Sequence, residues 1–204
     1  MERRNFFKAL AAGSFYLSIP TARAATKKDL ANLDMIDTAA EVSSGRVSMF
    51  EINKAAMDRI DALNPHINAL VTKTYDYGVR QIAKNPTGPL AGVPYMLKDL
   101  NSLAGVRTTR GSRLFTSHTS SRQSPYTDNI LSSGVIILGK TNTPEFGLMP
   151  TTEPVANGAT RNPWNLGYST GGSSGGAAAA VASRMIAAAQ ASDCLLYTSP
   201  SPRD

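Results

Sequence analysis

The chain is poor in the residues that would announce the commoner chemistries. It has one cysteine, one tryptophan and two histidines in 204 residues. The single cysteine, Cys194, excludes an internal disulfide, so cysteine usage says nothing about compartment. With so few His and Cys side chains there is no ligand cluster for a metal. His66 follows a proline and His118 sits in a Ser/Thr-rich stretch. Both read as surface residues rather than bases. Aromatics make up only 7% of the chain, and no Lys/Arg run is interleaved with them. Nucleic-acid binding therefore has little support. No apolar run is long enough to span a bilayer as a permanent helix. No glycine pattern tied to a strand–helix unit marks a phosphate or an organic cofactor. No internal repeat is visible.

What charge excess there is sits at the ends. The formal net charge is +6, but it falls to +3 when residues 1–24 and 194–204 are set aside. The segment Glu2-Arg3-Arg4-Asn5-Phe6-Phe7-Lys8 resembles a twin-arginine export signal. A modest apolar stretch from Ala9 to Ile19 follows, then a small-x-small cleavage site with the cut expected after Ala24. The alternative is a basic amphipathic helix of a cytosolic protein. An export signal of this kind implies a bacterial periplasmic or exported enzyme, served by the twin-arginine machinery. The far end, residues 194–204, has no helix or strand period. It resembles a translated sequencing adapter rather than protein, the alternative being a disordered Pro/Ser tail. The expected layout is thus 1–24 signal, 25–193 domain, 194–204 artefactual tail.

Between these ends the pattern alternates. Leu30, Leu33 and Ile36 lie at helical spacing. Ser48-Met49-Phe50-Glu51 is a capping box, and Ile52, Ala56, Ile60 and Leu63 form one face of the helix it opens. Asn64-Pro65 is expected to end that helix, because proline disfavours helical geometry in the residue before it. Residues 68–72 read as a short strand and 73–87 as a polar helix with its loop. Val93 to Leu97 reads as a buried strand ending at Lys98. Residues 101–126 read as loop, and Thr127-Asp128-Asn129 as the cap of a short helix through Ser133. The apolar run Gly134 to Gly139 suits a strand buried on both faces. Residues 143–170 hold Pro, Gly and Asn at short intervals and predict a long irregular connection. Ser174 to Ile186 is predicted helical, and Ala187 to Ser192 is a candidate strand. Alternating strands and helices make the chain α/β.

The most informative stretch is Ser169-Thr170-Gly171-Gly172-Ser173-Ser174-Gly175-Gly176, running into four alanines. Alone it could be a flexible Gly/Ser linker. The alanines after it favour helix at once, and Lys98-Asp99 ends an apolar run upstream. Three further stretches stand with it: Gly88 to Asp99, Gly139-Lys140-Thr141-Asn142-Thr143-Pro144-Glu145-Phe146-Gly147, and Arg161-Asn162-Pro163-Trp164-Asn165. Together and in this order they resemble the amidase signature family over roughly residues 30 to 193. The resemblance implies an α/β/α sandwich around a mixed sheet, incomplete in this chain, and amide hydrolysis through a Ser-Ser-Lys triad without metal or cofactor.

A serine hydroxyl needs a base, and a lysine serves if burial lowers the cost of its neutral form. Lys98, at the end of an apolar strand, suits that role; alternatively it pairs with Asp99. By resemblance, Lys98 accepts a proton from Ser173, which lies in a cis peptide and relays one from a later serine. Ser174 caps the helix or bonds a neighbour, with a lesser expectation of touching substrate. Gly171 and Gly172 give the loop its freedom. Met149, with Pro150 and Thr151, lies where the family lines its acyl pocket. Lys140 reads as a loop hydrogen-bonding residue rather than a base. Arg161 to Trp164 reads as a turn that positions the serine loop. Asp193 resembles a structural aspartate near the nucleophile. The nucleophile itself belongs four residues beyond it, at the end of a glycine turn that also supplies oxyanion donors. Here those positions are Cys194, Leu195, Leu196 and Tyr197. The chain as written is therefore expected to be inactive and its untruncated parent an amidase, with general amidases and hydrolases of linear or cyclic aminohexanoate oligomers as the nearest pattern. The alternative is the A subunit of a glutamyl/aspartyl-tRNA amidotransferase, a cytosolic protein. A third reading is a binding protein that has lost its nucleophile.

Overall fold

The computed structural model describes residues 30–192. The basic N-terminal segment, Asp193, Cys194 and Tyr197 lie outside these residues, with the expectations placed on them.

Helix α1 (Met35–Ser43) starts where the Asp34 carboxylate accepts from Asp37 N. The 30/33/36 spacing is not one helical face. Leu30 and Leu33 pack with Val47 and Ile52 ahead of the helix, while Ile36 is left exposed. Helix α2 (Met49–Ile67) opens at the expected capping box: Glu51 N donates to Ser48 Oγ, and Ser48 N donates to the Glu51 carboxylate. Ile52, Ala56 and Ile60 are buried along its inner face. A large aliphatic side chain such as isoleucine contributes about 1.5–3 kcal/mol when fully buried. Pro65 does not end α2, contrary to the sequence expectation. It sits in the last turn, and the helix runs to Ile67 before Asn68 turns left-handed at φ 55°. The Asn64 side chain accepts from Leu70 N and donates to Leu70 O, tying the chain beyond the proline back onto the helix end.

The sheet follows. Strand β1 (Leu70–Lys73) leads into α3 (Tyr75–Ala83), β2 (Pro94–Lys98), α4 (Pro125–Ser132) and β3 (Ile136–Thr141). A hairpin of β4 (Arg161–Asn162) and β5 (Asn165–Ser169) precedes α5 (Gly175–Ala182) and the two-residue β6 (Ala188–Ala189). The four-stranded sheet has the order β1-β3-β2-β6. Strand β2 runs parallel to β3 and β6, and β1 runs antiparallel to β3. Every residue of β2 and β3 is buried, as their apolar runs require. Met96, Ile136 and Leu138 pack with α2 and α5 on one face. Tyr95, Leu97 and Ile137 pack on the other, with α4 and parts of α1 and α3. This is the expected α/β/α sandwich with a mixed sheet.

Three further segments differ from the sequence reading. Helix α4 is capped by Ser124, not by Thr127. Pro125 occupies its first turn, where a missing N–H is harmless, and Thr127 is buried with its hydroxyl on Ser102 O. Helix α5 stops at Ala182, not Ile186. The Ser183 hydroxyl folds back onto Ala179 O, and Arg184 takes φ 58°, turning Met185 and Ile186 into the core. The segment 143–170 is irregular as expected but contains the β4–β5 hairpin. Asn162 Oδ1 accepts from Trp164 N at its turn.

Three surface carboxylates are held below their ordinary range: Glu41 by Arg46, Glu51 by Ser48, and Asp61 by its bond to Lys73. A depressed carboxylate stabilises the fold above its unfolded value, and that contribution is lost as pH falls through the folded value. The thermal midpoint is thus expected to drop as pH is lowered from about 5 to about 3. A smaller drop in Glu51→Gln would assign the capping box its share; an unchanged profile would remove it.

Candidate active site

Lys98 is the last residue of β2, on the Met96 face that α5 covers, and it is 0% exposed. Its backbone N donates to Gln190 Oε1 at 2.9 Å, while Gln190 N donates to Met96 O. The glutamine side chain thereby prolongs the short β6 pairing to the lysine. The Lys98 amine donates to Ser173 Oγ at 2.7 Å and Ser174 Oγ at 2.9 Å. It also lies 2.9 Å from Ser192 O and 3.2 Å from Ser192 Oγ.

The serine loop is fixed by backbone demands and by threonines. Gly171 has φ +72°, in the left-handed region, and the Gly172–Ser173 peptide is cis, as the resemblance implies. A Cβ on Gly172 would come within 2.8 Å of Met149 O, so only glycine fits against the 149–151 backbone. Thr143 Oγ1 donates to Ser173 O at 3.0 Å. Thr152 Oγ1 donates to Gly171 O and accepts from Gly175 N. These threonines come from the segment 143–170 that the sequence presents as a long irregular connection.

The structure brings together Lys98, Ser173, Ser174, Gly171 and Gly172. Ser174 bonds its neighbours rather than capping α5: its hydroxyl makes no cap bond but donates to Ser192 O and accepts from Ser192 N. The Met149 side chain is exposed on the loop whose backbone contacts Gly172. His66 and His118 are exposed, and neither has a hydrogen bond to the lysine or the serines. Asp99 does not pair with Lys98. Its side chain lies on the opposite sheet face, where Lys140 Nζ donates to Asp99 Oδ1 at 3.0 Å. Lys140 is correspondingly not a loop residue; it is a fully buried part of β3. Burial pushes its amine below the ordinary lysine range, Asp99 opposes that, and Arg107 and Arg110 add to it. Sequence reasoning missed Ser192 and Gln190 as neighbours of Lys98. A hydroxyl and an amide after the last strand were visible, but nothing local ties them to residue 98.

The arrangement can move a proton. A hydroxyl bonded to a buried amine can give its hydrogen to that amine and take another from a group beyond it. Among the described residues, no group of His, Cys, Asp and Glu is arranged to hold a metal ion, and no helix is long and apolar enough to cross a membrane.

The site is thus a buried lysine at a strand end, bonded to a serine pair at a glycine-rich helix start. The Amidase family model matches residues 51–194, and the chain belongs to that family. The 6-aminohexanoate-cyclic-dimer hydrolase of Paenarthrobacter ureafaciens is 41% identical over 155 residues, covering 74% of this chain and 31% of that protein. The acylamidase of Rhodococcus erythropolis is 39% identical over 176 residues, covering 82% and 37%. The A subunit of the glutamyl-tRNA(Gln) amidotransferase from Alkalilimnicola ehrlichii is 38% identical over 164 residues, covering 77% and 34%. A solved structure of 6-aminohexanoate cyclic dimer hydrolase with its substrate aligns with a TM-score of 0.74 at 40% identity, over 78% of this chain and 33% of that one. The chain thus spans about a third of the length of the curated relatives it matches.

Proposed function

We propose that the full-length protein is an exported amide hydrolase and that Lys98 and Ser173 are two members of its catalytic triad. The observation that carries the assignment of Lys98 and Ser173 is the 2.7 Å bond between Lys98 Nζ and Ser173 Oγ in a site where Lys98 has no exposed surface. The neutral amine of Lys98 takes the Ser173 hydrogen as Ser173 Oγ takes one from the attacking serine. That serine's oxygen bonds to the carboxamide carbon. The C–N bond breaks, and the proton returns through the same hydroxyl to the departing ammonia or amine. Water then hydrolyses the acyl-serine by the reverse relay. Among substrates, linear or cyclic amides of the aminohexanoate kind are favoured by the Thr143-Pro144-Glu145-Phe146-Gly147 and Thr151-Thr152-Glu153-Pro154 patterns, with Met149 beside the acyl group.

By resemblance the attacking serine belongs at position 197, which is Tyr197 here, and Cys194-Leu195-Leu196 replaces the glycine turn. Losing a serine nucleophile costs on the order of 10⁶ in rate. The purified 204-residue chain is therefore expected to leave an aryl acylamide untouched. The product of a genomic reading frame that continues past Asp193 with the glycine turn and serine is expected to cleave it. Hydrolysis by the 204-residue chain that disappears in Lys98→Ala would overturn the assignment of the nucleophile.

The second reading is the A subunit of an amidotransferase, supported by the 38% identity to such a protein. It works in the cytosol, and the Arg3-Arg4 segment argues for export through the twin-arginine machinery to the periplasm. A reporter fused to residues 1–30 should reach the periplasm. Retention in the cytoplasm would favour the amidotransferase.

A further inference from the structure

A second buried lysine stands one register position from Lys98. In the β2–β3 pairing, Leu97 lies opposite Lys140 and Lys98 opposite Thr141. The register shifts between Tyr95 and Met96: Ile137 lies opposite Tyr95, but Gly139 lies opposite Met96. One extra residue in β3 is thus absorbed near Leu138, and such a bulge re-aims the side chains after it. Simple alternation from Ile136 and Leu138 would have put Lys140 on the Met96–Lys98 face. The bulge sends it to the other face, onto Asp99.

There the fully buried pair belongs to a wider hydrogen-bond network. Lys140 Nζ also donates to Thr108 Oγ1 at 3.0 Å. Asp99 Oδ2 accepts from Thr109 N at 3.0 Å and from the Thr109 hydroxyl. Thr109 Oγ1 accepts in turn from Gly111 N at 3.1 Å and Asn157 Nδ2 at 2.9 Å. The Asp99 backbone is held on both sides, its N donating to Thr141 O and its O accepting from Arg110 N. Residue 99 is therefore fixed by five bonds, to β3 and to the 109–110 segment, and Lys98 is its immediate neighbour. The same segments reach the serine: Phe146 N donates to Arg110 O, and Thr143 Oγ1 donates to Ser173 O.

We propose that Asp99 and Lys140 are positioning residues for Lys98: their buried pair clamps the end of β2 to β3 and to residues 108–111, and so fixes where the Lys98 amine meets Ser173. The proposal deepens the reading of Lys98 and Ser173 as a working pair and rests on it. It assigns no proton-transfer step to Asp99 or Lys140, which face away from the serines.

The test uses the 204-residue chain with ¹⁵N-labelled lysine. Exchange of the Lys98 Nζ hydrogens with solvent is followed by NMR, the signal being assigned by its loss in Lys98→Met. Backbone amides of Ile137 and Leu138 report global opening in the same samples. Two variants are compared with the wild type: Asp99→Asn/Lys140→Met, which removes both charges, and the milder Thr109→Val, which removes only the hydroxyl on Asp99. Exchange at Lys98 is expected to accelerate about tenfold more than at the two amides in the double variant, and by a smaller margin in Thr109→Val. Parallel acceleration at all three positions, or none at any, would reduce the pair to a stability element and overturn the proposal. Failure of both variants to fold would also count against it, because the pair would then hold the whole sheet rather than one side chain. No amide hydrolysis is measured, so this result stands apart from the fate of the catalytic reading. An amidase assay that fails leaves the exchange result standing, and an unchanged exchange pattern leaves the amidase assay untouched.

Discussion

Lys98→Ala in the full-length protein is expected to lower kcat/KM for an aryl acylamide by about 10²–10⁴-fold, the span that one proton-transfer group supplies. The physical reason is local. The amine is bonded at once to Ser173 Oγ, Ser174 Oγ and Ser192 O. In the proposed relay, alanine removes the proton acceptor, and it leaves Ser173 Oγ with a 3.4 Å approach to Ser192 O. Because groups that act as a unit are non-additive, Ser173→Ala should cost about as much, and the double variant little more. Circular dichroism would confirm that the variants fold. Retention of activity within about tenfold of wild type in Lys98→Ala would exclude the lysine as the base.

Lys140→Met is expected to destabilise the fold by about 3–5 kcal/mol, the usual cost of breaking a buried ion pair from one side. Both side chains of the pair are 0% exposed. The variant leaves the Asp99 carboxylate in the core with its Thr109 bonds and no cation. Adding Asp99→Asn should recover a large part of the loss, since a neutral pair of similar volume is tolerated where a stranded charge is not. Urea unfolding of the 204-residue chain measures both. A loss below about 1 kcal/mol in the single variant would mean that water or another cation reaches Asp99.

Much of the frame could be read from local pattern. The capping box at Ser48 and the apolar runs ending at Lys98 and Gly139 each became the expected element. Boundaries were misread where a distant or backbone partner outweighed local preference. Pro65 is carried inside α2 because Asn64 reaches Leu70. Helix α5 ends early because Arg184 turns left-handed and buries Met185 and Ile186. Thr127 caps nothing because its hydroxyl goes to Ser102.

The order of residues along the chain determined which groups could do chemistry: one lysine at the end of an apolar strand, two serines in a glycine-rich turn before a run of alanine, and too few histidines to offer a ready base. These are local properties of composition and spacing; the family itself followed from the resemblance of four stretches standing in one order. Only the folded chain decided the partners. Residues 98 and 173 meet because parallel strands place the end of β2 beneath the start of α5. Ser192 joins them because β6 pairs with β2. Asp99 takes Lys140 rather than Lys98 because successive side chains of a strand face opposite ways and a one-residue bulge in β3 turns the second lysine over. Sequence carries the kind of each side chain; the face it occupies follows from strand register, which is set by pairing across distances that no local pattern records.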